Sequence, residues 1–86
     1  MLTGNGTITL RSGRALAAQY QFHTHRTGLW TGYLICDSST TDPSEFADKV
    51  LLFCADGAAV ELAVTSWTDH DMAVVGRELP VLDRVG

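Results

Sequence analysis

The sequence predicts an all-β domain: a six-stranded antiparallel meander closing into a small barrel or tight sandwich, with one short helical turn near 43–48. Three observations carry this. Apolar residues alternate with polar ones at a period of two. Short Gly-containing turns separate the alternating runs. The 86 residues also suffice for one core and are too few for two, so residues 1–86 read as a single domain. Strands are expected near 6–11, 15–25, 29–36, 49–55, 58–66 and 72–77.

In the second strand Leu16, Ala18, Tyr20 and Phe22 share one face, while Gln19, Gln21, His23 and His25 share the other. In the fifth, Val60, Leu62 and Val64 alternate with Ala59, Glu61 and Ala63. Ser12-Gly13-Arg14 reads as a three-residue turn that sets Ile8 and Leu10 against Ala18 and Leu16. Arg26-Thr27-Gly28 reads as another, with Gly28 left-handed. That register pairs Phe22 with Gly32, Tyr20 with Leu34 and Ala18 with Cys36, and puts Trp30 on the same face. Asp56-Gly57 reads as a two-residue type I′ turn pairing Ala55 with Ala58, Phe53 with Val60 and Leu51 with Leu62. Leu29, Tyr33, Ile35 and Leu52 then fall outside the core.

One connection is long, Asp37 to Asp48. Its first part is polar and expected to be mobile. Asp42 has the chemistry of an N-cap, Pro43 of a first helical residue, and Glu45 of the reciprocal carboxylate of a capping box. Phe46 is expected to plug the core from this turn. The tail holds Leu79, Val81, Leu82 and Val85 and is expected to dock on other surface, while Pro80 argues against a helix through it.

Gly4-Asn5-Gly6-Thr7-Ile8 near the start, the apolar alternating hairpin and the later Asp56-Gly57 turn resemble small bacterial β-barrel domains of unknown function. The likeness spans most of the chain as a general pattern. Its motifs are turn punctuation, and it implies a fold without an activity.

Composition excludes several functions. Charged residues are 19% and hydrophobic residues 45%, which fits a globular chain and not a disordered one. The net charge of -4 argues against a general affinity for nucleic acid or anionic membrane. Arg14 and Arg26 flank a strand of about ten residues, roughly 33 Å apart, so they form no single basic patch. No apolar run reaches the length of a membrane helix, and the first residues lack the features of a signal peptide. With only Cys36 and Cys54 and no zinc spacing, a cytoplasmic protein with two unbonded thiols is expected. Charge is uneven along the chain. Residues 1–36 carry Arg11, Arg14 and Arg26 and no carboxylate, whereas residues 37–86 hold all ten Asp and Glu.

No nucleophile motif, phosphate loop or dinucleotide fingerprint is present, so neither catalysis nor a cofactor is expected. In an antiparallel meander the first, third and fifth connections share one end. Arg14, Asp37, Trp67, Asp69, His70 and Asp71 should gather there as a candidate ligand-binding end. A carboxylate beside His70 would raise its proton affinity, and Asp37, Asp42, Asp69 and Asp71 could offer oxygens to a divalent cation. The competing reading is that Asp, Ser and Thr populate turns because they bond their own backbone. His23 and His25 lie towards the other end, so the three histidines are not expected to form one metal site.

The preferred function is protein interaction or self-association as a homodimer, or with another protein, and without catalysis. The alternative is a small-ligand or metal-binding domain using the His70 end. The interface candidates are Tyr33 and Ile35 on the third strand, with Leu79, Val81 and Leu82 of the tail. Apolar surface of this kind calls for a cover.

Overall fold

Three hairpin loops share one design. Arg11-Ser12-Gly13, Arg26-Thr27-Gly28 and Ala55-Asp56-Gly57 are each three residues long and end in a glycine at positive φ, 92°, 83° and 96°. In each, the glycine N–H donates to the carbonyl three residues back: Gly13 to Leu10, Gly28 to His25, Gly57 to Cys54. The loop is closed by bonds from Leu10 to Arg14, His25 to Leu29 and Cys54 to Ala58. This is the type I turn with a glycine bulge, whose twist matches that of the flanking strands.

The computed structural model describes residues 1–79. It contains β1 (Leu2–Thr9), β2 (Ala15–Thr24), β3 (Leu29–Ile35), β4 (Lys49–Cys54), β5 (Ala59–Trp67) and β6 (Asp71–Glu78), with a 3-10 turn at Pro43–Glu45. The strands close into an antiparallel barrel in the order β1-β2-β3-β6-β5-β4. The expected six-stranded barrel is therefore present, but the meander is interrupted once. Consecutive strands pair everywhere except β3 and β4, which stand across the ring from one another. The segment between them crosses the end of the barrel. Hairpin signals are local and leave open which strands meet when the connection is long.

The interior holds Ile8, Ala18, Phe22, Leu34, Val50, Leu52, Val60, Leu62, Met72 and Val74, all buried. Phe22 stacks against Tyr20 and tilts against Trp30, with ring centroids 5.4 Å apart in both pairs. The alternation read in β2 and β5 is the one observed, and Phe22 lies opposite Gly32 and Tyr20 opposite Leu34, as the three-residue loop predicts.

Three local expectations are corrected. The β4–β5 loop has three residues, because Asp56 keeps a negative φ and its carboxylate accepts from the Ala58 N–H at 2.9 Å. That moves the register by one: Leu52 faces Val60 and Phe53 faces Ala59. A one-residue slip turns every side chain over, so Leu52, expected outside, is wholly buried and Phe53 is 44% exposed. The β1–β2 loop begins at Arg11, so Ile8 meets Leu16 and Gly6 meets Ala18. β1 starts at Leu2, which places Gly4 and Gly6 within a strand rather than in a turn.

Candidate functional site

The connections β1–β2, β3–β4 and β5–β6 share one end of the barrel, as strand parity requires of an antiparallel ring. The crossing segment closes that end. Asp42 caps the 3-10 turn by accepting from the Ser44 N–H at 2.9 Å, with Pro43 following it. Phe46 is then driven into the core at 1% exposure, with its ring edge-on to Trp67 at 5.3 Å. Glu45 does not reach back to close a capping box. Its carboxylate accepts from the Ser12 hydroxyl and faces the Arg14 guanidinium at 3.8 Å, while its carbonyl accepts from the Arg11 N–H. The crossing segment is thereby stapled to the β1–β2 loop.

The first part of the segment was expected to be mobile but is tied down. Ser38 and Thr41 are buried. The Ser38 N–H donates to the Asp69 carbonyl and its hydroxyl to the Thr68 carbonyl at 3.1 Å. Cys36 N–H donates to the His70 carbonyl. The end thus assembles Arg14, Asp37, Trp67, Asp69, His70 and Asp71 around one cap.

Assembly does not make these groups converge. Asp37 accepts from the Ser39 N–H and hydroxyl, at 3.1 and 2.6 Å. These bonds hold its carboxyl below the ordinary aspartate value, and the neighbouring His70 adds to the effect. Asp71 accepts from the Thr68 hydroxyl at 3.0 Å, and that hydroxyl oxygen accepts from the His70 and Asp71 N–H groups. The carboxylates thus serve their own turns. Among the described residues no three His, Cys, Asp or Glu side chains are placed to hold a metal ion, so Asp37, Asp42, Asp69 and Asp71 do not form a cation site. At the other end His25 meets the Thr31 hydroxyl at 3.0 Å, and His23 is exposed on the outer face of β2.

Cys36 and Cys54 are unbonded and buried. Burial pushes the Cys36 thiol up, and the charges of Asp37 and Asp71 push in the same direction. Tyr20 is likewise raised, first by burial and then by Cys54.

The wall of the barrel divides into two chemically different halves. Leu2–Thr9, Ala15–Thr24 and Leu29–Ile35 contain no Asp, Glu, Lys or Arg. Lys49, Glu61, Asp71, Arg77 and Glu78 all lie on the other three strands. On the uncharged half Tyr33 is 55% exposed and Ile35 39%. Their cross-strand neighbours are Gln21 and Gln19 on β2 and Ala73 and Asp71 on β6. Of the tail candidates, Leu79 donates its N–H to the Ala59 carbonyl at 2.7 Å and so belongs to the β5 side of its own barrel. Val81 and Leu82 lie outside the described residues.

Two features were missed in the sequence. Phe53 is exposed because of the register change. A groove of about 590 Å³ runs over the charged half between Leu29, Val75 and Lys49. Its lining comes from four strands, so no local pattern signals it. No helix among the described residues is long and apolar enough to cross a membrane. Comparison of the chain with protein-family models, curated proteins and solved structures finds no match in any of the three.

Proposed function

We propose that the chain is a self-association module with no catalytic step of its own, in which copies meet through the uncharged half of the wall. The observation that carries this is the outer face of β3. Tyr33 and Ile35 project there with more than a third of their surface exposed, on a half-barrel with no Asp, Glu, Lys or Arg in its strands. A net charge of -4 sets a net repulsion between copies of the chain. The neutral half is where two copies approach at least electrostatic cost. Covering Tyr33 and Ile35 supplies the apolar area that a specific interface places at its centre.

Light scattering of the full chain across a concentration series tests the reading. Association that holds or strengthens as salt is raised supports it, because salt screens only the repulsion. Association that salt abolishes would point to a charge-driven contact and contradict it. The loop end around His70 is the weaker candidate, since its carboxylates already accept bonds within their own turns.

A further inference from the structure

The groove over the charged half of the wall has a short side chain set between longer ones. Two cross-strand rows run through it: Lys49, Ala63 and Val75 in one, Glu61, Arg77 and Leu29 in the next. Ala63 stands between Lys49 and Val75, so the wall is hollow there, within a groove of about 590 Å³. Lys49 and Glu61 meet at 3.4 Å along one side, and Arg77 is exposed on the β6 side. The groove therefore has an apolar floor of Leu29, Ala63 and Val75 and a rim that carries both signs of charge.

The chain itself leads into this groove. β6 runs past Val75 and Arg77 to Glu78, and the next residue, Leu79, lines the groove as well. The Leu79 N–H donates to the Ala59 carbonyl, so the sheet holds the chain as far as that residue. Position 80 is a proline. It has no N–H with which to extend a ladder, and its fixed φ suits the second position of a turn that reverses the chain.

We propose that residues 80–86 turn back at Pro80 and lie along this groove of their own barrel. Val81, Leu82 and Val85 supply apolar side chains for the floor, and Asp83 and Arg84 bring one charge of each sign to a rim that has both. The reach suffices. Val75 lies four residues before Leu79, about 13 Å along a strand, whereas the seven residues from 80 to 86 extend about 23 Å. The same segment of a second copy, or a peptide of similar character, would compete at its own concentration only. A segment joined directly to Leu79 is present at the groove at a far higher effective concentration, so the occupant is the chain's own.

The contact does not depend on self-association, since Tyr33 and Ile35 are not part of the groove. It assigns Val81 and Leu82 to the chain's own wall rather than to an interface between copies.

Nuclear magnetic resonance of the full chain tests the proposal. Methyl groups of Val81, Leu82 and Val85 should show nuclear Overhauser contacts to the methyl groups of Ala63 and Val75. A mixture of isotope-labelled and unlabelled chains separates contacts within one chain from contacts between two. Contacts within the chain support the proposal whatever the molar mass in solution. Contacts found only between chains would put a second copy's segment in the groove and overturn it, and the absence of both would overturn it too. Filling the floor gives a second readout. Ala63 is exposed, so Ala63→Trp leaves the core untouched, and unchanged amide shifts of the inward-facing residues check this. Amide order parameters over residues 81–85 should be close to the rigid-backbone value of about 0.85 in the wild-type chain and fall below about 0.6 in the variant. Values that do not differ between the two chains would contradict docking in this groove.

Discussion

The α-carbon of Gly32 lies so close to the carbonyl of Gln21 that a β-carbon added there would overlap that oxygen. Gly76 stands in the same relation to Glu61. Both glycines face inward on neighbouring strands, Gly32 on β3 and Gly76 on β6. They allow the sheet to bend tightly enough to close with six strands. The approach is backbone to backbone, so no side chain can yield. Gly32→Ala is expected to destabilise by about 2 kcal/mol or more. The denaturant midpoint should fall with an unchanged slope. A midpoint equal to wild type would mean that the strands can separate there at no cost.

At Gly57 the difficulty is conformational rather than spatial. Its φ is 96° and nothing lies within 4 Å of an added β-carbon. Gly57→Val should cost more than about 1 kcal/mol, because a branched side chain resists positive φ. Asp56→Gly should cost less, since Asp56 keeps negative φ and loses only its bond to the Ala58 N–H. Urea midpoints of the two variants give the comparison. Equal losses would contradict this account, in which Asp56→Gly costs only one exposed hydrogen bond and some chain entropy while Gly57→Val also strains the backbone.

These two sites show what was legible in the sequence. The fold class, the faces of β2 and β5 and the β2–β3 register follow from period and turn chemistry, which are local. The β4–β5 register failed by one residue because Asp-Gly serves both a two-residue loop and a three-residue loop with a bulge. Only φ at Asp56 separates them. The pairing of β3 with β6 was not legible, since it depends on where Phe46 finds room after a long crossing. Strand parity alone brought Arg14, Asp37 and His70 to one end. It could not show that Asp37 is engaged by Ser39 and Asp71 by Thr68. Glu45 looked like a local cap and instead reaches Ser12 and Arg14, a contact between segments distant in the chain.

Acid should weaken the cap that closes the barrel. Asp37 and Asp42 both hold their carboxyls below the ordinary value of 3.8, because the ionised forms accept bonds from Ser39 and Ser44. A folded-state value below the unfolded one adds stability that is complete above the unfolded value. That stability is lost as pH falls below about 3.8 through the lowered folded values. Asp42→Asn keeps an acceptor for the Ser44 N–H but cannot ionise. Stability measured against pH should fall less steeply in this variant over that range. An identical acid slope would remove Asp42 from the effect.

Thiol chemistry should separate the folded from the unfolded chain. Cys36 and Cys54 are buried and unbonded, and burial raises the Cys36 thiol further from the reactive thiolate. Alkylation near neutral pH should be slow in the native protein. Denaturation without reductant should release two titratable thiols. Rapid native labelling would contradict the burial of both side chains, and the absence of thiols after denaturation would contradict their unbonded state.

The reading of the neutral half-wall requires that copies of the chain meet, so the molar mass of the full chain in solution tests the proposal most directly. Light scattering at high micromolar concentration should give a mass of at least two 9.3-kDa chains, undiminished by added salt. The mass of a single chain at every concentration would contradict it.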